Sequence, residues 1–277
     1  MEREQVLAEV LGEALPYISN LAGKTIVVKL GGSALGSHDT TLEDVVGLTK
    51  LGVRAVLVHG GGTSISGWLR RIGKEPRFID GLRVTDEDTM EIVTMVLAGK
   101  VNKDLVASLR ALGGRSVGIC GVDGGLIRAR RISSDLGLVG DITHVDPQLL
   151  DLLFAAQHIP VVAPIALGEE NESLNINADT AAAEIAVVSR AEKLVFLTDV
   201  AGICDARGEL LSRLTVGEAR ALVVSGVISG GMIPKAEACC RALDGARATH
   251  IVDGRVPHAL LRELFTDRGF GTMIVPT

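Results

Sequence analysis

A repeating order of short β-branched runs, glycine-rich loops and helical patterns constrains this 277-residue chain more than any other feature. Thr25–Leu30 (TIVVKL) runs into Gly31-Gly32, and Val53–His59 (VRAVLVH) runs into Gly60-Gly61-Gly62. Further runs follow at Ser116–Cys120, Pro160–Ile165, Lys193–Thr198 and Thr249–Val252, with Thr272–Val275 read as a short edge strand. Helical spacing is clearest in Asp86–Leu112, Asp179–Ser189, Val216–Val224 and Pro234–Leu243. This alternation predicts an α/β fold: a mainly parallel open sheet, right-handed crossovers and helices on both faces. Aromatic residues make up only 3% of the chain, so the core must be Val, Ile, Leu and Ala, which suits a sheet buried on both sides. Ligands of such sheets collect beyond the carboxyl ends of the strands, where Lys29, Gly31, Gly32, Gly60–Gly62 and Asp199 fall.

Three segments depart from the rhythm. Lys74–Thr85 reads as a hairpin around Asp80-Gly81, and the polar, turn-rich Arg128–His144 as irregular strands over the active-site edge. Residues 1–22 form a separate element, in which Val6, Leu7, Val10, Leu11, Ala14 and Ile18 make an apolar stripe at helical spacing. Pro16 is expected to kink or end that helix. Its stripe needs a partner, either on its own domain or on another subunit. Residues 23–277 carry no clean boundary, although a functional division into 23–170 for the acceptor and 171–277 for a nucleotide is expected.

Composition excludes several classes. The net charge is −6 with no basic run, which argues against a nucleic-acid partner. Cys120, Cys204, Cys239 and Cys240 have neither zinc nor CxxC spacing, and reduced thiols in a cytoplasmic protein are expected. No segment reaches the roughly 18 apolar residues of a membrane span. Glu2, Glu4, Glu9 and Glu13 argue against a signal peptide.

Two motifs mislead. Gly23-Lys24-Thr25 looks like the end of a Walker A loop but precedes a strand and has Ile18 where that loop needs glycine. Gly114-Arg115-Ser116-Val117-Gly118 fits GxSxG, and with His59-Gly60-Gly61-Gly62 it raises an α/β-hydrolase as an alternative. A nucleophile elbow needs its serine at a strand-to-helix turn, whereas Ser116 begins a strand.

Other motifs point to anions. Lys29 stands near the end of a central strand, where burying an ammonium is costly unless an anion waits for it. Gly31 and Gly32 let backbone N–H groups approach that anion. His59-Gly60-Gly61-Gly62 repeats the arrangement at the next strand and opens a helix whose N-terminus favours negative charge. Two such sites side by side suit group transfer between two anionic ligands. Arg83, in Gly81–Thr85, can fork onto a carboxylate. Asp179, in Asn175–Asp179, is either functional or simply the N-cap of the following helix. Lys235, in Gly230–Lys235, lies in the first turn of a helix, where the dipole disfavours a cation unless a phosphate compensates.

In their order, KLGG at Lys29–Gly32, HGGG at His59–Gly62, GLRVT at Gly81–Thr85, NINAD at Asn175–Asp179, LTDVAGI at Leu197–Ile203 and GGMIPK at Gly230–Lys235 resemble the amino-acid kinase family. Within it they resemble the branch acting on N-acetyl-L-glutamate in arginine biosynthesis. The resemblance runs from about Thr25 to the C-terminus. It implies a three-layer α/β/α sandwich with N-acetyl-L-glutamate in the N-terminal part and ATP in the C-terminal part. Mg2+ would be held chiefly by the ATP phosphates, with no direct protein ligand required. Lys29 and Lys235 would stabilise the transferring phosphoryl group, and Asp179 would orient both. Gly61, Gly62, Arg83 and Asn175 would hold the acceptor; Gly31, Gly32, Thr198, Asp199, Gly231 and Met232 would line the nucleotide site.

Arginine-inhibited members of that branch carry an extra kinked N-terminal helix that interlaces dimers into a hexamer, and a C-terminal stretch similar to His258–Thr272. Both features are present, so the resemblance further implies inhibition by L-arginine at a site formed by Tyr17, Lys193, Glu263, Gly269 and Gly271. Where many such chains read KYGG, this one has Leu30. A sister kinase acting on an N-acyl-aminoadipate, and a non-catalytic amino-acid sensor, are the remaining alternatives.

Overall fold

The structure, a computed structural model, describes residues 2–31, 40–266 and 269–277, and of residues 2–4, 6–8 and 11 the backbone alone. Gly32 therefore lies outside the described residues, as do the side chains of Val6, Leu7 and Leu11.

In chain order, helix α1 (Glu2–Leu21) leads into β1 (Thr25–Leu30), α2 (Thr41–Lys50), β2 (Arg54–His59) and α3 (Gly62–Arg71). A small hairpin, β3 (Phe78–Ile79) and β4 (Leu82–Arg83), precedes α4 (Glu87–Thr94), a π-helical segment (Met95–Val101) and α5 (Asn102–Ala111). Then come β5 (Ser116–Cys120), β6 (Ile127–Arg131), β7 (Gly140–Val145), α6 (Gln148–Ala155), β8 (Ile159–Ala163), β9 (Ile165–Leu167) and β10 (Ser173–Asn175). The remainder is α7 (Ala178–Val188), β11 (Lys193–Thr198), β12 (Arg213–Thr215), α8 (Val216–Val224), α9 (Met232–Ala242), β13 (Ala248–Asp253), α10 (Ala259–Leu264) and β14 (Thr272–Val275).

Eight strands form the main sheet in the order β12-β14-β13-β11-β1-β2-β8-β5. All pairs are parallel except β13 with β14. The expected α/β layering holds. β1 sits at the centre between β11 and β2, with Lys29 opposite Phe196 on one side and Val58 on the other. Its six residues are all buried, and two apolar clusters lie on its opposite faces, Val27 in one and Ile26, Val28 and Leu30 in the other. Residues alternating along a strand must face opposite sides, so a strand with every position buried is one covered on both.

Four expectations need correction or narrowing. β14 is not an edge strand, because the three-residue β12 pairs along its outer side. The run Pro160–Ile165 breaks at Pro164, which has no N–H for a ladder; β8 stays in the main sheet and β9 joins a second sheet of order β10-β9-β6-β7. Of the two outcomes expected at Pro16, the helix does not end there: α1 continues to Leu21, since one lost backbone bond does not end a helix sustained on both sides. The long helical pattern Asp86–Leu112 is interrupted by its π-helical turns. The hairpin around Asp80-Gly81 and the strands within Arg128–His144 are present as read. Ser116 begins β5 and its hydroxyl donates to the Val106 carbonyl, so no nucleophile elbow exists there.

Candidate active site

Lys29 is the penultimate residue of β1 and is 7% exposed. Burial pushes its pKa down, the Asp179 carboxylate draws it back up, and the nearby Lys235 lowers it again. Its ammonium lies 2.7 Å from Asp179 Oδ1.

Asp179 is available for this contact because another residue caps its helix. The Asn177 side-chain oxygen accepts from the backbone N–H of Asp179 at 2.8 Å and of Thr180 at 3.2 Å, making Asn177 the N-cap of α7. The reading of Asp179 as a mere N-cap is thereby overturned. Lys235 reaches the same carboxylate from the first turn of α9, which packs on α7, with its ammonium 2.9 Å from Asp179 Oδ2. Burial alone would raise the Asp179 pKa, but the attraction and hydrogen bonds of both lysines outweigh it and hold the carboxyl below its usual range. The three side chains are a cation–anion–cation bridge with one positive charge in excess.

Beside the bridge, β2 ends at His59 and the chain turns through Gly60 and Gly61 into α3. Gly60 N–H still donates to the Leu30 carbonyl, holding the two strand ends together. A Cβ on Gly61 would fall 2.4 Å from Leu97 Cδ2, so a side chain there would require Leu97 of the π-helical segment to shift. Arg83, carried by β4, donates from Nη2 to the Gly62 carbonyl and to Ser66 Oγ, both at 2.9 Å, and lies 4.8 Å above the Phe78 ring. Its Nη1 is buried with no partner, a donor still to be satisfied. Asn175 Nδ2 donates to Thr85 Oγ1 at 3.1 Å.

These groups share a cavity of about 210 Å3 lined by Lys29, Gly61, Gly62, Arg83, Asn175 and Asp179, with Ile65, Leu97 and Ile176 among its apolar walls. A cavity lined by the Lys29 ammonium and by a guanidinium with an unfilled donor suits a small molecule with two carboxylates.

The residues expected around the nucleotide gather along the same sheet edge but outside this cavity. Gly31 N–H donates to the Leu197 carbonyl. Thr198 ends β11 opposite Asp253, its hydroxyl 3.2 Å from Asp199 Oδ1, and Asp199 is exposed. Gly231 and Met232 open α9, one turn before Lys235. Among the described residues no group of three or more His, Cys, Asp or Glu side chains could cage a metal.

The residues expected at a second, regulatory site divide into two groups. Tyr17 and Lys193 line one cavity of about 550 Å3, and Tyr17 meets Phe265 edge-on with ring centres 6.5 Å apart. Glu263 instead bonds internally: its carboxylate lies 2.5 Å from His250 Nδ1 and accepts from the N–H groups of Phe270 and Gly271. Gly269, at a φ of 65°, turns the chain back onto it. Burial lowers the Lys193 pKa and Glu263 opposes that shift, so the two groups feel each other. The sequence reading missed Asn177, Ser66, Phe78 and His250, each of which acts through a neighbour rather than a motif.

The matches to known proteins follow the same outline. Residues 24–253 match the model of the amino acid kinase family, a span that holds Lys29, Asp179 and Lys235. The chain belongs to the amino acid kinase family. Among curated relatives, it is 50% identical to an acetylglutamate kinase of Heliobacterium modesticaldum, with 97% of each chain covered. It is likewise 50% identical to an acetylglutamate kinase of Synechococcus elongatus, covering 96% of this chain and 91% of that one. Among solved structures, an N-acetylglutamate synthase of Neisseria gonorrhoeae complexed with coenzyme A and N-acetyl-glutamate superposes with a TM-score of 0.84 at 30% identity. That match covers 96% of this chain and 62% of the longer synthase chain. A Giardia carbamate kinase, at 15% identity and a TM-score of 0.67, shares the fold. No described helix is long and apolar enough to cross a membrane.

Proposed function

We propose that this chain phosphorylates the γ-carboxylate of N-acetyl-L-glutamate with ATP, giving N-acetyl-L-glutamyl 5-phosphate and ADP in arginine biosynthesis. The observation that carries this reading is the meeting of Lys29 and Lys235 on Asp179, where Lys29 and Asp179 line a cavity together with Arg83 and Asn175. The names of relatives at 50% identity over nearly their full length support the choice of acceptor.

A carboxylate is already ionised near neutral pH, so the acceptor needs no general base. One carboxylate oxygen attacks the γ-phosphorus in line, the bond from phosphorus to the β–γ bridging oxygen breaks, and ADP leaves with that electron pair. The difficulty is repulsion between two anions, and catalysis becomes positioning plus charge stabilisation. Lys29 approaches from the sheet and Lys235 from α9, while the Gly61 and Gly62 N–H groups add neutral donors. The unsatisfied Arg83 Nη1 anchors the acceptor's other carboxylate. Mg2+ carried on the nucleotide phosphates would supply further neutralisation. A phosphate-held ion fits the residues present, because both Asp179 oxygens are occupied by ammonium groups.

The reading extends to regulation. Tyr17 and Lys193 would bind L-arginine in their shared cavity, with Glu263, Gly269 and Gly271 completing the site. Val10 and Leu15 remain 57% and 58% exposed on α1, which supports packing of this helix on another subunit in a hexamer built from dimers.

A coupled ATPase assay with N-acetylglutamate, an N-acyl-aminoadipate, aspartate, UMP and carbamate tests the acceptor. ADP release specific to N-acetylglutamate is expected. Turnover of another acid alone contradicts the assignment, and no turnover with any of them favours a binding protein.

A further inference from the structure

His59 is fully buried and has no role in the chemistry above, yet the position of its ring proton can be deduced from its neighbours. Asn102, also fully buried, opens α5 directly after the π-helical segment. Lys103 Nζ can only donate, and it lies 3.0 Å from Asn102 Oδ1, which identifies that atom as the oxygen. Asn102 Nδ2 then faces three acceptors: the carbonyl oxygens of Val161 at 2.8 Å and Ile119 at 3.3 Å, and His59 Nε2 at 3.2 Å. A donor aimed at Nε2 requires a lone pair there, which puts the imidazole proton on Nδ1. Nδ1 is 2.9 Å from the Gly60 carbonyl oxygen and donates to it. Burial keeps the ring neutral, with a pKa near 4, and the nearest charge, Lys103, acts in the same direction although the Gly60 hydrogen bond opposes it. Gly118 makes room for this relay, since a Cβ there would overlap Asn102 Oδ1.

The relay ends on a peptide that needs fixing. Three glycines in succession have no side chains to restrict them. In a trans peptide the C=O and N–H point opposite ways, so a Gly60 carbonyl tied to His59 turns the Gly61 N–H away from the ring. Gly60 and Gly61 both line the cavity that holds Lys29, and no described residue accepts from the Gly61 N–H.

We propose that Asn102 is a positioning residue for phosphoryl transfer, acting through an Nδ1-protonated His59 to aim the Gly61 N–H at the reacting anion. This deepens the kinase reading and rests on it.

The first test is long-range proton–nitrogen correlation on wild-type protein labelled with 15N-histidine. His59 is expected protonated on Nδ1 alone from pH 8 to pH 5; a proton on Nε2 overturns the proposal whatever the variants do. Asn102→Ala is expected to lower kcat on the order of 10-fold, less than the loss of a direct donor, with KM for ATP and N-acetylglutamate changed less than about 3-fold. Asn102→Asp replaces the donor with an acceptor and raises the His59 pKa, adding to kcat a pH dependence between 6 and 9 that the wild type lacks. A folded Asn102→Ala enzyme with wild-type kcat refutes the assignment, and if that variant does not fold, the tautomer decides. Absence of kinase activity in the wild type is a separate outcome, which refutes the kinase reading itself.

Discussion

Lys29 and Lys235 share one carboxylate: the first ammonium lies 2.7 Å from Asp179 Oδ1 and the second 2.9 Å from Oδ2. One comes from the central strand and the other from a helix near the far end of the chain, so the fold has to be complete before they meet. Like charges that share one partner repel each other, and Asp179 offsets the repulsion. In the proposed reaction, a phosphoryl group placed beside them would find its counter-charges already in position, with little reorganisation left for the transition state.

Arg83 Nη2 holds Gly62 and Ser66 while Nη1 is buried without a partner, the donor proposed for the acceptor's carboxylate. Arg83→Lys loses the planar fork. KM for N-acetylglutamate is expected to rise on the order of 10-fold or more, with KM for ATP nearly unchanged. Initial-rate kinetics with each substrate varied checks this.

Gly61→Ala places a methyl against Leu97 Cδ2. The variant should lose activity through displacement of the loop. Leu97→Ala in the same chain frees the space, so the double variant is expected to be more active than Gly61→Ala. Coupling of about 1 kcal/mol or more in a double-mutant cycle on kcat/KM is the signature.

Two buried histidines set the acid limb of stability. Burial lowers His59 from 6.5 to about 4, and burial also lowers His250, against the opposing pull of Glu263. Below about pH 6.5 the unfolded chain takes up protons that these native imidazoles refuse. Their contribution is therefore full above 6.5 and is lost as pH falls toward 4. The urea midpoint is expected to be lower at pH 5 than at pH 7, with a smaller difference in His59→Gln. Equal midpoints in the wild type contradict it.

Deleting residues 1–20 removes most of α1 and with it Tyr17. A smaller particle in light scattering is expected, active but insensitive to L-arginine. An unchanged particle size counts against interlacing through this helix.

The sequence made the chemistry more legible than its support. Lys29 and Lys235 stood out because each breaks a local preference, a buried ammonium and a lysine in a first turn. An acid at a helix start is ordinary, and Asp179 stood out only through the family resemblance. The apolar runs identified β1, β5, β11 and β14 to the residue, because strands covered on both faces leave long apolar stretches. β12 was invisible, since three residues carry no period and only its neighbour β14 makes it a strand. Asn102 and His250 were missed for a related reason. Their partners are carbonyls, imidazoles and carboxylates brought near by folding, and no spacing along the chain announces them. Glu263 was singled out, yet nothing in its surroundings in sequence discloses its contact with His250.

The most direct test of the two-lysine account is the turnover of purified Lys29→Ala and Lys235→Ala, each shown to be folded by circular dichroism. With saturating ATP and N-acetylglutamate, and the acyl phosphate trapped by hydroxylamine, kcat is expected to fall on the order of 10²–10³-fold in each. Near wild-type turnover in folded Lys29→Ala would contradict the account.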